Sequence, residues 1–232
     1  MNFSGKSVIV TGGTGALGVA VVNRLVGAGA ICTVPYVHEA EAERFPRRGD
    51  PHVTLIAVTD LADESQVAKL YGGAKPWASI HIAGGFSGGQ VAETDKAALM
   101  RQIDTNLISC FLCCRAAVNA MLAGNQGGRI VNVAARPALE WRSGTGMSAY
   151  TVAKSGVAAL TAALAEEVAK DGVLVNAVAP SIMDTPANRK AMPKADHSKW
   201  PKVEEVAETI AFLASPDNYV TRGAIVPVYG KS

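Results

Sequence analysis

"SVIVTGGTGALG", residues 7–18, decides the fold. A short uncharged run rich in β-branched residues leads into a glycine-rich turn, and a helical pattern then continues to residue 28, where Gly29 stops it. Gly13, Gly15 and Gly18 fit the spacing G-x-G-x-x-G. In that arrangement glycine permits a tight turn, lets backbone approach a pyrophosphate and packs the helix closely on the strand. The start of the helix adds unpaired N–H groups and the positive end of its dipole. Among 23 glycines the spacing alone is a weak signal, and its position between strand and helix strengthens it.

The same alternation continues outward. Strand candidates follow at 30–36, 52–58, 78–82, 129–133, 174–179 and 224–228, mostly without charge, as suits strands covered on both faces. Helical patterns lie between them at 63–71, 95–122, 149–170 and 203–214, with a further short helix after His38. Strand and helix in strict alternation predict a Rossmann-type α/β fold: a doubly wound parallel sheet of about seven strands with helices on both faces. No linker, repeat or low-complexity tract interrupts the series, so residues 1–232 read as a single domain.

Composition narrows the function. Hydrophobic residues make up 49% and charged residues 18%, a balance that supports a core and excludes disorder. The formal net charge is +2 without a basic stripe, which argues against a nucleic-acid partner. No apolar stretch approaches the ~18 residues of a membrane span, so the expectation is a cytoplasmic protein with no membrane partner. Cys110, Cys113 and Cys114 crowd into "SCFLCC", and Cys110 and Cys113 have metal-site spacing. A zinc site needs four ligands, and no second pair accompanies them, so no metal is expected and the cysteines read as buried helix residues.

Ligands of such a sheet bind beyond the carboxyl ends of its strands, where the strand order reverses. Small or polar residues stand at those exits: Asp60 after the third strand, Ala83, Gly84 and Gly85 after the fourth, residues 134–137 after the fifth and 180–185 after the sixth. Two Tyr-x-x-x-Lys pairs compete for the chemistry. Tyr71 and Lys75 flank two glycines, which disfavour a helix and give the pair no common face. Tyr150 and Lys154 lie near the start of a long helical pattern, where i and i+4 share a face. An ammonium there would lower the phenol pKa from its reference of about 10 and let the tyrosine exchange a proton with a carbonyl or alcohol.

With these residues assembled, the chain resembles the short-chain dehydrogenases/reductases over essentially its whole length. The resemblance rests on residues 11–18, Asp60, residues 83–85, Asn106, the Tyr150/Lys154 pair, "VNAVAP" at 175–180 and Thr185. It implies an NAD(P)-dependent oxidoreductase that moves a hydride between nicotinamide and a carbonyl, imine or quinonoid carbon of a small-molecule substrate. Tyr150 would be the general acid/base. Lys154 would lower its pKa and hold the nicotinamide ribose, and Asn106 would support a water in the proton relay. Cofactor contacts would come from Gly12, Gly13, Thr14, Gly15, Ala16, Leu17 and Gly18, from Tyr36, and from Asp60 with Leu61 at the adenine. Ala83, Gly84, Gly85, Pro180, Ile182 and Thr185 would complete the set with Tyr150 and Lys154. A homodimer or homotetramer is implied as well.

Three positions depart from the pattern. Ala16 replaces a glycine, "VYGKS" replaces a glycine-rich tail, and Ala135 stands where the family's catalytic serine would fall. Loss of that hydroxyl points to the dihydropteridine reductases, which this chain resembles in "AGGFSGG" (83–89) and in residues 184–200. Asn106 resembles the main branch instead. The end of the second strand carries no acid at Pro35 or Tyr36, which leans toward NADP over NAD and leaves His38 and Arg44 as candidates. Residues 184–203 form a long connection expected to fold over the substrate, with Met183, Met192, His197 and Trp200 shaping the pocket. The competing reading is a catalytically weak NAD(P)-binding sensor or scaffold protein.

Overall fold

The computed structural model describes residues 1–232. Strands β1 (Ser7–Thr11), β2 (Ile31–Tyr36), β3 (Val53–Ala57), β4 (Ala78–His81), β5 (Gly128–Val133), β6 (Val173–Pro180) and β7 (Ile225–Val228) build one sheet, ordered β3-β2-β1-β4-β5-β6-β7. All neighbours are parallel, and Val8 of β1 pairs with Cys32 on one side and Ala78 on the other. The order reverses between β1 and β4, so a crevice opens there beyond the carboxyl ends of the strands.

Helices α1 (Ala16–Val26), α2 (Glu39–Arg44), α3 (Glu64–Tyr71), α4 (Lys96–Ile103), α5 (Ser109–Gly124), α6 (Arg136–Leu139), α7 (Ser148–Glu167), α8 (Pro186–Ala191) and α9 (Val203–Ala214) connect the strands. Helices α1 and α9 cover one face of the sheet, and α3, α5 and α7 cover the other. Val8 and Val10 point into the first cluster of buried side chains and Ile9 into the second. Alternation sends neighbours to opposite faces, and since both faces are buried the run needs no polar residue.

The helix expected over 95–122 is not one regular helix. Between α4 and α5 the backbone widens into a π-turn at Asp104–Ile108, closed by Ser109 N–H donating to Asp104 O. Asn106 explains the break: its Nδ2 donates at 3.0 Å to the Gln102 carbonyl, the acceptor that its own N–H would take in an α-helix. The helix expected to reach 170 ends at Glu167, and a 3₁₀ turn at Ala169–Asp171 leads into Gly172 at φ +73. The segment Lys96–Gly124 contains an 18-residue window of mean hydropathy 1.7, long and apolar enough to cross a membrane by length and composition. Here its Cys110, Cys113, Cys114, Ala117 and Met121 are buried within the second cluster.

Candidate active site

The glycine loop forms the floor of a groove of about 700 Å³ at the reversal of strand order. Gly12 adopts φ +67, and a Cβ on it would lie 2.6 Å from Ala83 N. Gly18 faces the Gly12 carbonyl so closely that any side chain would overlap it. These two glycines draw the loop, β4 and α1 together. At Gly15, the N-cap of α1, no side chain caps the helix, so its first N–H groups are left for a phosphate. The cradle fits a dinucleotide.

The groove brings together Gly12, Thr14, Gly15, Ala16, Leu17, Gly18, Tyr36, Asp60, Leu61, Ala83, Gly84 and Thr185. Gly85 and Pro180 line an adjoining pocket instead. Gly13 lies behind the groove against Val34, and Ile182, 44% exposed, lines neither space. Glu41 is a wall residue that the strand-end pattern missed. Helix α2 folds it back toward the glycine loop, where Thr14 Oγ1 donates to Glu41 Oε2 at 3.1 Å. The signal was present in the acidic first turns of "EAEAER", but its direction depends on how α2 leaves β2.

The groove opens into a pocket of about 220 Å³ lined by Tyr150, Lys154, Asn106, Ala135, Phe86, Ser181 and Met183. Helix α7 carries Tyr150 and Lys154 on one face, and the π-turn presents Asn106. Lys154 Nζ donates to Val133 O at 2.8 Å and lies 5.9 Å from the centre of the Tyr150 ring. The Asn106 amide bridges Gly85, donating to its carbonyl at 2.9 Å and accepting from its N–H at 3.2 Å. Phe86 stands edge-on to Tyr150, with ring centres 5.2 Å apart.

The expected lowering of the phenol by its lysine is not seen in the protein alone. Burial pushes Tyr150 up to about 12 and lowers Lys154 to about 8. Taking either group out of water disfavours its charged form, and no contribution from Lys154 offsets that effect on Tyr150. In the other pair, Tyr71 ends α3 with its hydroxyl 2.7 Å from Ser79 Oγ and 3.3 Å from His81 Nε2, while Lys75 is exposed beyond Gly73 at φ +73.

No side chain takes the place of the serine absent at Ala135. Ser143 Oγ donates to Glu140 O, Thr145 Oγ1 to Arg142 O, and Arg136 is paired with Glu140. Apart from Tyr150, the only hydroxyl on the pocket wall belongs to Ser181, which donates to Tyr229 O at 2.9 Å. Of the four residues expected from the long connection, Met183 alone lines the site. His197 stacks on Trp200 at 4.5 Å and its Nε2 lies 2.8 Å from Met192 O, so that segment packs on itself.

A dinucleotide groove continuous with a Tyr/Lys pocket defines an NAD(P)-dependent oxidoreductase acting on a small molecule. The chain belongs to the short-chain dehydrogenase family, whose pattern matches residues 6–196. It is 36% identical to a galactitol 2-dehydrogenase of Rhizobium johnstonii, covering 97% of this chain and 93% of the relative. It is 34% identical to a cis-4-hydroxycyclohexanecarboxylate dehydrogenase of Sinomonas cyclohexanicum, covering 98% and 96%. A solved structure described as a short chain dehydrogenase/reductase family protein superposes with a TM-score of 0.90 at 26% identity, covering 99% of this chain and 98% of that one.

Proposed function

We propose that this protein, working as one domain over residues 1–232, reduces a small electron-poor acceptor such as a quinonoid ring or an activated imine. The carrying observation is a pocket with a positioned tyrosine and no free donor at Ala135. Tyr150 gives its proton to the substrate atom that gains electron density. Lys154, held by Val133 O, presents an ammonium to the ribose side of the cleft and offsets charge on the phenol as the proton leaves. Asn106, fixed on Gly85, keeps the mouth of the proton path in place. The bound cofactor supplies the hydride. Phe86 and Met183 supply an apolar wall that favours a flat ring over a hydrated sugar.

An acceptor that is already electron-poor needs little polarisation, so loss of one donor costs it little. Initial rates of NAD(P)H oxidation with quinonoid dihydropterin, a small quinone and a simple ketone test the reading. Faster turnover of the ketone would overturn it. Glu41 supports a choice between cofactors that reverses the lean from strand-end composition. A carboxylate at the groove wall repels a 2′-phosphate, so NAD is the proposed partner. Glu41→Gln should narrow the NAD preference by about tenfold, roughly one charge interaction in partial solvent; an unchanged ratio of kcat/KM values would reject it.

Assembly and location belong to the same proposal. Phe111 and Leu122 on α5 and Val152 on α7 are more than 40% exposed, which supports burial of these helices between copies in a cytoplasmic homodimer or homotetramer. Light scattering at micromolar concentration should give a multiple of 24.0 kDa.

A further inference from the structure

Below the active site, on the α5 side of the sheet, three elements bring together a set of ligand-forming side chains with no part in the chemistry above. His81 on β4 pairs in register with Asn132 on β5. Cys110 and Cys114 stand one turn apart on the face of α5 that packs over them. All four residues are buried, none more than 4% exposed. His81 Nδ1 lies 2.8 Å from Asn132 Oδ1 and 3.4 Å from Cys114 Sγ, and Asn132 Oδ1 lies 3.4 Å from the same sulfur. Cys110 is buried beside them, one turn before Cys114 on the same helix. One donor atom each from His81, Cys110 and Cys114 fall within 4.8 Å of one another.

We propose that His81 Nδ1, Cys110 Sγ, Cys114 Sγ and Asn132 Oδ1 form a structural zinc site. Zn–S bonds of ≈ 2.3 Å and Zn–N bonds of about 2.0–2.1 Å in a tetrahedron separate sulfur from nitrogen, and sulfur from a ligand oxygen, by about 3.5–3.6 Å. The two observed sulfur separations of 3.4 Å already match. The nitrogen and oxygen, 2.8 Å apart in their hydrogen bond, must open by roughly half an ångström as the ion enters between them.

The surroundings are those of a ligand set. Asn132 Nδ2 donates at 2.9 Å to Thr161 Oγ1, which donates in turn to Val157 O at 2.7 Å, so the amide is fixed with its oxygen toward the sulfur. His81 Nε2 is 2.8 Å from Ser79 Oγ and 3.3 Å from the Tyr71 hydroxyl, which hold the ring from its far side as outer partners hold a metal-bound imidazole. Two thiolates neutralise a divalent ion, so the loaded site brings no net charge among the surrounding Ile9, Ile130 and Val157. Loading releases two thiol protons, one from each cysteine, and moves the imidazole proton from Nδ1 to Nε2, with no change in oxidation state. Tyr71 also lines a cavity of about 410 Å³ between α3 and α5, which brings solvent to within one side chain of the cluster. The pair that matters is therefore 110 and 114, not the 110 and 113 spacing first visible in the sequence.

The full chain purified from zinc-supplemented medium and dialysed without chelator should hold about one zinc per chain, and its cobalt-substituted form should show the visible bands of a tetrahedral ion with a thiolate charge-transfer band. Cys110→Ser and Cys114→Ser should lose the metal while still binding NAD(P)H by fluorescence, and Cys113→Ser should keep it. Folded wild type that retains less than about a tenth of an equivalent and gives no cobalt–thiolate band after refolding with the metal would overturn the site. So would equal retention in the Cys110 and Cys114 variants. Should those variants fail to fold, the wild-type cobalt spectrum decides alone: a thiolate band sustains the site and its absence overturns it.

Discussion

Two Tyr-x-x-x-Lys stretches lie in this chain, and the difference between them is not in the tyrosine's own acidity. Burial raises both phenols, Tyr150 to about 12 and Tyr71 well above its ordinary value. What separates them is the surroundings of each hydroxyl. Tyr71 spends its hydrogen bonds on Ser79 and His81 inside the protein, while Tyr150, its phenol raised by burial, lines a pocket. The lysines differ more. Lys154 is 5% exposed and fixed to Val133 O, whereas Lys75 lies in solvent past a glycine turn. What distinguishes the Tyr150/Lys154 pair is therefore the pocket beside it, and the four-residue spacing is common to both stretches.

The sharpest way to break the comparison is the same substitution in both places. Tyr150→Phe should lower kcat by ~10²–10⁴-fold with little change in cofactor affinity. Tyr71→Phe should leave kcat near that of the wild type. Comparable losses in the two variants would show that both hydroxyls serve the reaction.

Next in size is the empty position beside Tyr150. A preorganised donor is commonly worth about 2.7–4 kcal/mol, so Ala135→Ser should raise reduction of a simple ketone by up to roughly 10²–10³-fold, and that of a quinonoid acceptor much less. Equal gains on both substrates would mean that the alanine does not set the acceptor class.

The two lysines are separated by stability and its pH dependence. Burial holds Lys154 at about 8 against 10.5 in an open chain. Between those values the unfolded chain keeps a proton that the folded chain has released, so the stability of the cofactor-free protein should rise with pH across this window. Below about 8 both forms are charged, and the shift amounts to roughly 3 kcal/mol of destabilisation. Lys154→Met should recover up to that amount at neutral pH and flatten the profile while weakening turnover and cofactor binding. Lys75→Met should change none of these by more than about 0.5 kcal/mol. Urea midpoints on both sides of the window check both variants. The smallest catalytic effect belongs to Tyr71→Phe, whose cost is structural: loss of one partner from the buried Ser79–His81 group should lower unfolding free energy by about 1–3 kcal/mol.

The strands, the glycine loop and the placing of Tyr150 and Lys154 on one helix were legible because each rests on local patterning: apolar runs, glycine between strand and helix, and a helical pattern over a four-residue spacing. The π-turn was not, since it comes from one asparagine side chain taking a backbone acceptor. Glu41 was missed because its reach depends on how α2 leaves β2. His81 gave no signal either, as its partners lie on β5 and α5, 51 and 33 residues away, and only the sheet register joins them. Met192, His197 and Trp200 were expected at the substrate for the opposite reason: a long connection suggests a cover, and nothing local reveals that it packs on itself.

The strand order also imposes a schedule on assembly. Strand β1 is made first yet takes its second neighbour from β4, with Val8 paired to Ala78. Strand β7 is made last and joins only β6. A domain folds as a unit, and the α1 side of this core is closed only when α9, near the C-terminal end, packs into the same cluster. Ser181, on the pocket wall, finds its acceptor only at Tyr229, just past β7. The Ser181 side of the pocket is thus the last part to be completed, and a chain halted before β7 would lack the acceptor that fixes this hydroxyl.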